Sequence, residues 1–406
     1  MGTVAVIGAG IAGVRAAESL RSAGYQGQIA ILGNEAPIYR PSISKEALKP
    51  DSSGSYPMPM KQADMQLTWM LGATVQQVDL AGQSLTCTLA DGSPGQVHWE
   101  GLVIASGLRP RALPLPGPTA GRHLLRTLDQ AVALAAALHP GVRVTIIGSG
   151  FIGCEVAAAA IARGCQVTVI SPEPIPLAAA VGDTIGSVVT QRHLQHGVQF
   201  IFERSVREYR GDDRVREVVL SDGSSIATDL VLEAVGSVLN VEYLNGQGIT
   251  TDQGLLTDAH LRLADTNAPV FACGDIARHP NALFGAAARR IEHWTVASDT
   301  GTHAGKAMQA LLATGAIDMP AFAAVPSFWS DQYDLQIQSF GLPELATQQD
   351  IVEMHEDGSC IIECRDAIGL VAVIGINRTA ELARYRKSFN SRIQSTGLLS
   401  ENAEPH

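Results

Sequence analysis

The sequence lacks the long apolar runs and the excess of basic charge that would mark a membrane or nucleic-acid-binding protein. No apolar run reaches the roughly 18 residues that a membrane span requires, and the longest candidate, residues 131–138, is a short Ala-rich stretch. The net charge of −11 argues against a nucleic-acid partner, since binding phosphates needs a basic surface. The apolar start has no basic leader ahead of it, so we expect a structural strand there and not a signal peptide. These absences predict a soluble, cytoplasmic protein.

Cysteines are few and lack the spacing of a disulfide framework. The six are Cys87, Cys154, Cys165, Cys273, Cys360 and Cys364, a pattern that agrees with a reducing compartment. Cys360 and Cys364 lie in a predicted strand, where a rise of ~3.3 Å per residue places them ~13 Å apart, too far for a bridge. We expect buried or half-buried thiols.

Metal-binding patterns are also missing, because no heme, zinc or iron–sulfur spacing is present. His193 and His196 lie on one face of a predicted helix, but no third ligand is evident. We therefore predict no metal site there and interpret this segment as an ordinary solvated helix.

The segment "VAVIGAGIAG" at residues 4–13 carries the first sign of function. Four apolar residues predict a buried parallel strand, and the residues after the glycines have helical periodicity. Gly8 permits a tight turn, Gly10 lets a pyrophosphate approach the backbone, and Gly13 lets the helix pack on the strand. The helix start adds free N–H groups and positive potential. This unit predicts dinucleotide binding.

A second strand supports that prediction. The segment "QIAILGNE" at residues 28–35 ends in Glu35, 22 residues after Gly13. An acid about 20 residues beyond the glycines is the usual ligand of a ribose hydroxyl. Glu35 is the candidate, with Asn34 as its alternative.

The same device occurs again at residues 144–156. A predicted strand leads to Gly148, Gly150 and Gly153, and a helix and another strand follow. A strand–helix turn with incidental glycines is the competing interpretation. Two intact motifs predict two dinucleotides bound at once, and the simplest pair is a tightly held FAD and an exchangeable nicotinamide donor.

The end of the next strand favours NADH over NADPH. Ser171 stands where a carboxylate is expected, and Pro172 and Glu173 follow it. The segment 171–178 contains no Arg or Lys to hold a 2′-phosphate, and Glu173 would repel one.

Six further segments, by their sequences and their order along the chain, carry a family resemblance. They are residues 39–45, 102–111, 125–131, 273–277, 290–294 and 328–334. With the glycine motifs they make the chain, from Val4 to about Lys387, similar to the FAD-dependent pyridine nucleotide reductases. Within these it resembles the ferredoxin reductases of bacterial dioxygenase and cytochrome monooxygenase systems, of the putidaredoxin reductase type.

This resemblance and the motif order imply an α/β fold with three parts. Two Rossmann-like dinucleotide-binding domains are expected: an FAD domain made of residues 1–111 and 248–320, and an NAD domain of residues 112–247. Residues 321–406 are expected to form a small α+β C-terminal domain, because their alternating apolar and polar residues predict antiparallel strands.

The resemblance also implies roles for individual residues. Lys45 is expected near the flavin ring and Glu155 near both Lys45 and the nicotinamide. Trp294 and Trp329 are expected to border the flavin, Trp329 on the side that opens toward the iron–sulfur partner. Lys45, Glu155 and Trp329 are the candidate catalytic residues. The alternatives without a functional role are a surface lysine, an ordinary helix glutamate and core tryptophans.

Further candidate cofactor-binding residues follow from the same likeness. Asp275 is expected to bind the ribityl chain, Val78 the adenine through its backbone, and Ala12 to lie in the phosphate turn. Arg126 is expected near the FAD, with a solvated helix-start arginine as the alternative. The remaining candidates are Arg40, Ile152, Glu173 and Gly236.

The chain also departs from the family pattern. Ser42 replaces a proline, Thr295, Val296 and Thr300 replace polar residues after Trp294, and Leu239 replaces a proline before Asn240. We expect altered hydrogen-bond partners around the flavin.

The electron acceptor is inferred by elimination. Disulfide reductases of this superfamily carry a Cys-x4-Cys pair after the ribose acid, whereas this chain has no cysteine before Cys87. A flavin can release electrons one at a time, so the natural acceptor is a [2Fe–2S] ferredoxin. Rubredoxin reduction and a redox-sensing, NADH-binding flavoprotein of the apoptosis-inducing-factor-like kind are the alternatives.

A basic stretch at residues 377–393 fits an acidic ferredoxin. Its cations are Arg378, Arg384, Arg386, Lys387 and Arg392, against Glu381 alone. They would steer such a partner electrostatically. An ordinary solvated helix face is the competing interpretation.

Overall fold

The computed structural model describes residues 2–61 and 65–395, with side chains up to Phe389. The strands in this part of the chain are β1 (Thr3–Ile7), β2 (Gln28–Gly33), β3 (Leu67–Leu71), β4 (Thr74–Asp79), β5 (Ser84–Thr88), β6 (Pro94–His98), β7 (Gly101–Ile104), β8 (Leu108–Pro110), β9 (Arg122–His123), β10 (Arg143–Ile147), β11 (Gln166–Ser171), β12 (Gln199–Phe202), β13 (Val206–Arg210), β14 (Glu217–Leu220), β15 (Ser225–Ala227), β16 (Leu230–Glu233), β17 (Ser237–Leu239), β18 (Leu255–Leu256), β19 (Val270–Ala272), β20 (Ala277–Arg278), β21 (Ser327–Gln332), β22 (Leu335–Gly341), β23 (Gln348–Met354), β24 (Cys360–Arg365) and β25 (Leu370–Ile376). The helices are α1 (Ile11–Ser22), α2 (Leu128–Ala137), α3 (Phe151–Ala162), α4 (Ala178–Gln195), α5 (Trp294–Thr314) and α6 (Thr379–Ser395).

The first sheet is parallel and has the strand order β19-β7-β1-β2-β3. Its central strands are almost wholly apolar and buried, as expected for a parallel sheet covered on both faces. Helices α1 and α5 pack together on one face, and an antiparallel sheet of β4, β5 and β6 adds to the core on the other. Strand β19 joins this sheet although it follows β7 by more than 160 residues in sequence.

The second sheet repeats the arrangement with the parallel order β12-β11-β10-β16-β9. Helix α3 follows β10 as α1 follows β1. An antiparallel ribbon of β8 and β17 runs between the chain segments that enter and leave this unit. The chain therefore contains two successive Rossmann-like units.

The C-terminal unit is an antiparallel sheet, β21-β22-β25-β24-β23, with α6 packed against it. The predicted fold class, with two Rossmann-like units and a small α+β unit, is confirmed. The residue boundaries given above for the three domains stay a prediction.

Burial of the cysteines agrees with the sequence analysis. All six are free thiols with buried residues, and Cys360 and Cys364 lie on β24 as expected. Among the helices described, none has the length and apolar character needed to cross a membrane.

Close packing of α1 on α5 depends on two glycines one helical turn apart. A Cβ added to Gly301 would lie 2.2 Å from the carbonyl oxygen of Ala12, and one added to Gly305 would lie 2.2 Å from that of Ala16. No real contact is this short, so a methyl group at either position must push the helices apart. The contact places α1, the helix of the first glycine motif, directly against α5.

We predict that Gly305→Ala lowers the free energy of unfolding by about 2 kcal/mol, the usual cost of overpacking a core. Helix propensity alone predicts the opposite sign, since Ala is more favourable than Gly within a helix by about 1 kcal/mol. Urea unfolding decides between them, with Lys306→Ala at the exposed neighbouring position as the control. A Gly305→Ala protein as stable as the parent would contradict the packing argument.

Candidate functional site

In the first glycine turn, two glycines are required by close packing and the third faces space that a ligand can occupy. Gly8 has φ +116°, and a Cβ there would lie 2.1 Å from the carbonyl oxygen of Ala105. A Cβ on Gly13 would lie 1.9 Å from the carbonyl oxygen of Gly8. A Cβ on Gly10 would meet nothing within 4 Å, because this residue faces open space. Two glycines thus close the turn, and the third leaves room beside the start of α1 where a phosphate group fits.

The second turn has the same geometry. Gly148 has φ +103° and a Cβ there would lie 2.3 Å from the carbonyl oxygen of Ala234, while one on Gly153 would lie 2.1 Å from that of Gly148. A Cβ on Gly150 would again meet nothing within 4 Å. The turn before α3 therefore offers a second anion cradle of the same kind.

A cavity of about 860 Å³ runs from the first glycine turn to the start of α3. Its volume lies within the range of ligand sites, roughly 300–1,000 Å³. Most of the candidate site residues line it: Gly8, Gly10, Ala12, Asn34, Glu35, Arg40, Lys45, Arg126, Ile152, Glu155, Asp275, Trp294 and Trp329.

The other candidates lie off this wall: Gly13, Val78, Gly148, Gly150, Gly153, Glu173 and Gly236. Val78 is completely buried in the core, whereas the residues just before it, 73–76, line the cavity. A bulge between Val75 and Gln77 breaks the alternation of β4, which the sequence pattern does not reveal. Any contact between Val78 and a ligand through its backbone stays a prediction.

Glu35 and Asn34 both face the cavity, and Glu35 already has partners. Its Oε1 lies 2.5 Å from Nη2 of Arg40, and its Oε2 accepts the N–H of Leu128 at 3.4 Å. Burial, followed by the nearby Arg126, lowers the pKa of the Arg40 guanidinium. Arg40 also donates to the carbonyl of Arg126, so it ties the ribose-acid candidate to the segment before α2.

Arg126 and Asp275 form a second ion pair on the cavity wall, with Nη2 and Oδ2 3.0 Å apart. The Arg126 side chain is 29% exposed, so its guanidinium is engaged at the cavity and is not a solvated helix-start group. The pair brings together residues from two distant segments of the chain.

Lys45 and Glu155 meet in the most buried ion pair of the cavity wall. Their Nζ and Oε1 atoms are 2.8 Å apart, and the two side chains are 11% and 5% exposed. The Ser44 hydroxyl donates to Oε2 at 2.5 Å and the Ser330 hydroxyl donates to Oε1 at 2.6 Å. Three donors on one carboxylate offset the cost of burying its charge. The loop after β2, helix α3 and strand β21 converge at this point.

Aromatic side chains form another part of the wall. Trp294 begins α5 and contacts the Tyr39 ring edge-on, with centroids 5.2 Å apart. Trp329 lies on β21 beside Phe328, whose ring packs on Phe151 of α3 at 5.1 Å. The structure therefore brings both candidate tryptophans to the same cavity.

His293 is a wall residue that sequence reasoning missed. Burial lowers its pKa to about 4, so the ring is neutral at pH 7. Its Nδ1 is buried and has no hydrogen-bond partner within the described part of the chain. An orphaned polar atom on this wall fits a ligand with a polar edge. Only its position before Trp294, in a segment that carries the family resemblance, could have indicated it.

The departures after Trp294 have structural roles. The Thr300 hydroxyl accepts the N–H of Gly274 at 3.0 Å and donates to the carbonyl of Val296. The Thr295 hydroxyl donates to the carbonyl of Ser327 at 2.7 Å. These threonines hold the backbone before Asp275 and tie α5 to β21.

The prediction of a solvated helix at His193 is wrong. The residue is completely buried, because the β21–β22 hairpin covers this face of α4. Its Nε2 lies 2.9 Å from Oε1 of Gln332.

The basic stretch is partly neutralised in the structure. Arg378 pairs with Glu353 and with Glu381. Arg384, Arg386 and Lys387 are exposed on α6, and the side chain of Arg392 lies outside the described residues.

Comparisons with known proteins agree with this geometry. Residues 2–301 match the family model described as pyridine nucleotide-disulphide oxidoreductase, and residues 327–399 match one described as reductase C-terminal. The chain is 32% identical to rhodocoxin reductase of Rhodococcus erythropolis, over 95% of this chain and 88% of that protein.

Two further similarities are to a reductase component and to a reductase in a solved complex. The chain is 34% identical to the ferredoxin–NAD(+) reductase component of the p-cumate 2,3-dioxygenase system of Pseudomonas putida, over 87% of this chain and 84% of that protein. It superposes on the reductase of the covalent putidaredoxin reductase–putidaredoxin complex with a TM-score of 0.85 and 26% identity, covering 96% of this chain and 93% of the other.

The buried ion pair predicts a strong coupling between its two residues. Lys45→Met should lower the free energy of unfolding by about 3 kcal/mol, because it leaves a buried carboxylate without its cation. Adding Glu155→Gln to that variant should restore at least half of the loss.

Urea unfolding of both single variants and the double variant measures this coupling. Arg204→Ala, which breaks an exposed ion pair with Asp222, serves as the control and should change stability far less. Strictly additive losses at Lys45 and Glu155 would show that the pair is not coupled.

Proposed function

The chain belongs to the pyridine nucleotide-disulphide oxidoreductase family, whose model matches residues 2–301, and from this we propose that it is an NADH-dependent, FAD-containing ferredoxin reductase of an oxygenase system. The similarity to reductase components of such systems supports the proposal. The acceptor we propose is a [2Fe–2S] ferredoxin.

One observation carries the proposal: a single cavity connects the first glycine turn with the start of the helix that follows the second. The Lys45–Glu155 pair lies at their junction. Among the described wall residues there is no cysteine, so an internal disulfide does not receive the electrons. When bound, the flavin supplies the ability to accept an electron pair and to release electrons singly.

FAD would be held by the residues around the first turn. The open side of Gly10 and the N–H groups at the start of α1 suit the pyrophosphate. Glu35 or Asn34 would bind the ribose, and the Arg126–Asp275 pair would face the ribityl chain. Lys45 would place a positive charge beside the ring, and Trp294 would border it.

NADH would bind at the second turn, with its pyrophosphate at Gly150. Ser171 at the strand end is occupied by local contacts, since its hydroxyl lies 2.8 Å from that of Ser149 and accepts the N–H of Glu173 at 3.1 Å. The nearby Arg204, whose N–H donates to the carbonyl of Ser171, is paired through its side chain with Asp222 at 2.7 Å. The side chain of Arg204 is therefore already paired, which favours NADH over NADPH as the donor.

The partner would approach near Trp329 and be steered by basic charge. The exposed cations of α6, Arg384, Arg386 and Lys387, suit an acidic ferredoxin. We also propose a cytoplasmic location, because all six cysteines are free thiols.

We expect the purified protein to be yellow and to bleach anaerobically with NADH at far lower concentration than with NADPH. Addition of [2Fe–2S] ferredoxins should restore the colour as the ferredoxin is reduced, which stopped-flow absorbance measures. Bleaching by NADPH alone would overturn the cofactor assignment. Turnover with rubredoxins only, or a long-lived complex with NAD and no turnover with any iron protein, would favour the two alternatives given above.

Matched valines at the open glycines should separate the two dinucleotide sites. Both residues have φ near −75°, which valine adopts without strain, and neither Cβ meets the protein. Gly10→Val should give a folded but colourless protein. Gly150→Val should stay yellow and need at least tenfold more NADH for half-maximal bleaching. Circular dichroism checks folding, and a yellow Gly10→Val protein would contradict the site assignment.

A further inference from the structure

A continuous chain of hydrogen bonds lies behind Glu155, away from the cavity. Glu155 Oε1 is 2.6 Å from Ser330 Oγ, which is 3.0 Å from Gln332 Nε2. Gln332 Oε1 is 2.9 Å from His193 Nε2, and His193 Nδ1 is 3.3 Å from the Tyr333 hydroxyl. Ser330, Gln332 and His193 are completely buried. The predicted flavin site thus connects to helix α4 through strand β21.

The charge of Glu155 fixes the direction of every bond in this chain. A carboxylate paired with Lys45 can only accept, so Ser330 must donate its one hydrogen to Oε1. The Ser330 oxygen then accepts from the amide NH₂ of Gln332, and the Gln332 carbonyl faces His193. His193 must therefore carry its hydrogen on Nε2 and accept the Tyr333 hydroxyl at Nδ1. All four donors point toward Glu155.

We propose that Ser330, Gln332 and His193 are positioning residues that hold the Glu155 carboxylate in place against Lys45. This inference rests on the proposed function, because it assigns the series of hydrogen bonds a role at the flavin side of that same site.

The surroundings keep His193 in the required form. Burial lowers its pKa to about 4, so the ring is neutral at pH 7 and has one N–H to donate. Arg192 pairs with Asp334, and the His196 ring stacks on Tyr333 at 3.8 Å with an interplanar angle of 11°. These contacts fix α4 to the β21–β22 turn on both sides of the chain.

Aligned hydrogen bonds in a dry interior polarise one another. The Glu155 carboxylate at the end of this series is therefore held more firmly than a single hydrogen bond would hold it. Without Ser330, Oε1 keeps only Lys45, and the carboxylate can rotate away. The Lys45 charge is then less compensated. A less compensated cation beside the ring favours the more negative, reduced flavin, so the midpoint potential should rise.

Ser339 offers a matched control for Ser330. It is also a completely buried serine, on the adjacent strand β22, and its hydroxyl has no partner among the described residues. Ser339→Ala therefore removes the same atom from the same sheet without touching Glu155.

The first test is the tautomer of His193 in the unmodified holoprotein at pH 7, read from ¹⁵N histidine spectra and assigned through contacts with the Phe200 and Tyr333 rings. We expect the Nε2–H form. The Nδ1–H form or a protonated ring would overturn the inference, and this result needs no variant to fold.

The second test is the flavin midpoint potential, titrated with a chemical reductant. Ser330→Ala should favour reduction about tenfold, which is about 30 mV for a two-electron couple, and Ser339→Ala should not. Equal shifts in both variants would reduce Ser330 to a structural role and overturn the inference. Neither test uses NADH or ferredoxin, so a failure of the proposed function would appear separately, as an unmodified protein that cannot reduce ferredoxin.

Discussion

The site depends on burying a lysine and a glutamate together. A single buried charge is too costly to keep, so each residue requires the other, and the carboxylate requires further donors. The loop after β2, helix α3 and strand β21 supply these groups. Satisfying one ion pair therefore fixes three distant parts of the chain, and it does so where the cavity meets the helix of the second glycine turn.

The two glycine turns show why the same strand–glycine–helix motif occurs twice. In each turn the outer glycines are required by the fold, because a side chain would strike a backbone oxygen about 2 Å away. The middle glycine is not required by any protein contact. Its open side is the signature of a turn kept clear for something other than the protein, and both Rossmann-like units carry it.

Sequence patterns predicted the secondary-structure elements that depend on interactions between residues close together in the sequence. The strand–glycine–helix units at residues 4–22 and 144–162 follow from apolar runs, glycine spacing and helical periodicity, and the alternating segments after residue 327 form the expected antiparallel strands. The burial of Val78 was not predictable in detail, because a bulge between Val75 and Gln77 interrupts the regular alternation of β4.

Tertiary contacts account for what the sequence could not reveal. The spacing of His193 and His196 on one helical face predicts a solvated helix, yet the β21–β22 hairpin, some 140 residues later, buries His193. Ser330 lies in a motif that the family resemblance highlighted for its tryptophan. Its role at Glu155 becomes visible only when α3 and β21 meet.

We propose that the Lys45–Glu155 pair stands between the two bound dinucleotides. A crystal structure of the yellow protein with NAD⁺ tests it most directly. We expect the flavin ring beside Lys45, the nicotinamide on the Glu155 side, and the ion pair intact. A second dinucleotide bound away from α3, or a Lys45 and Glu155 separated in the complex, would contradict it.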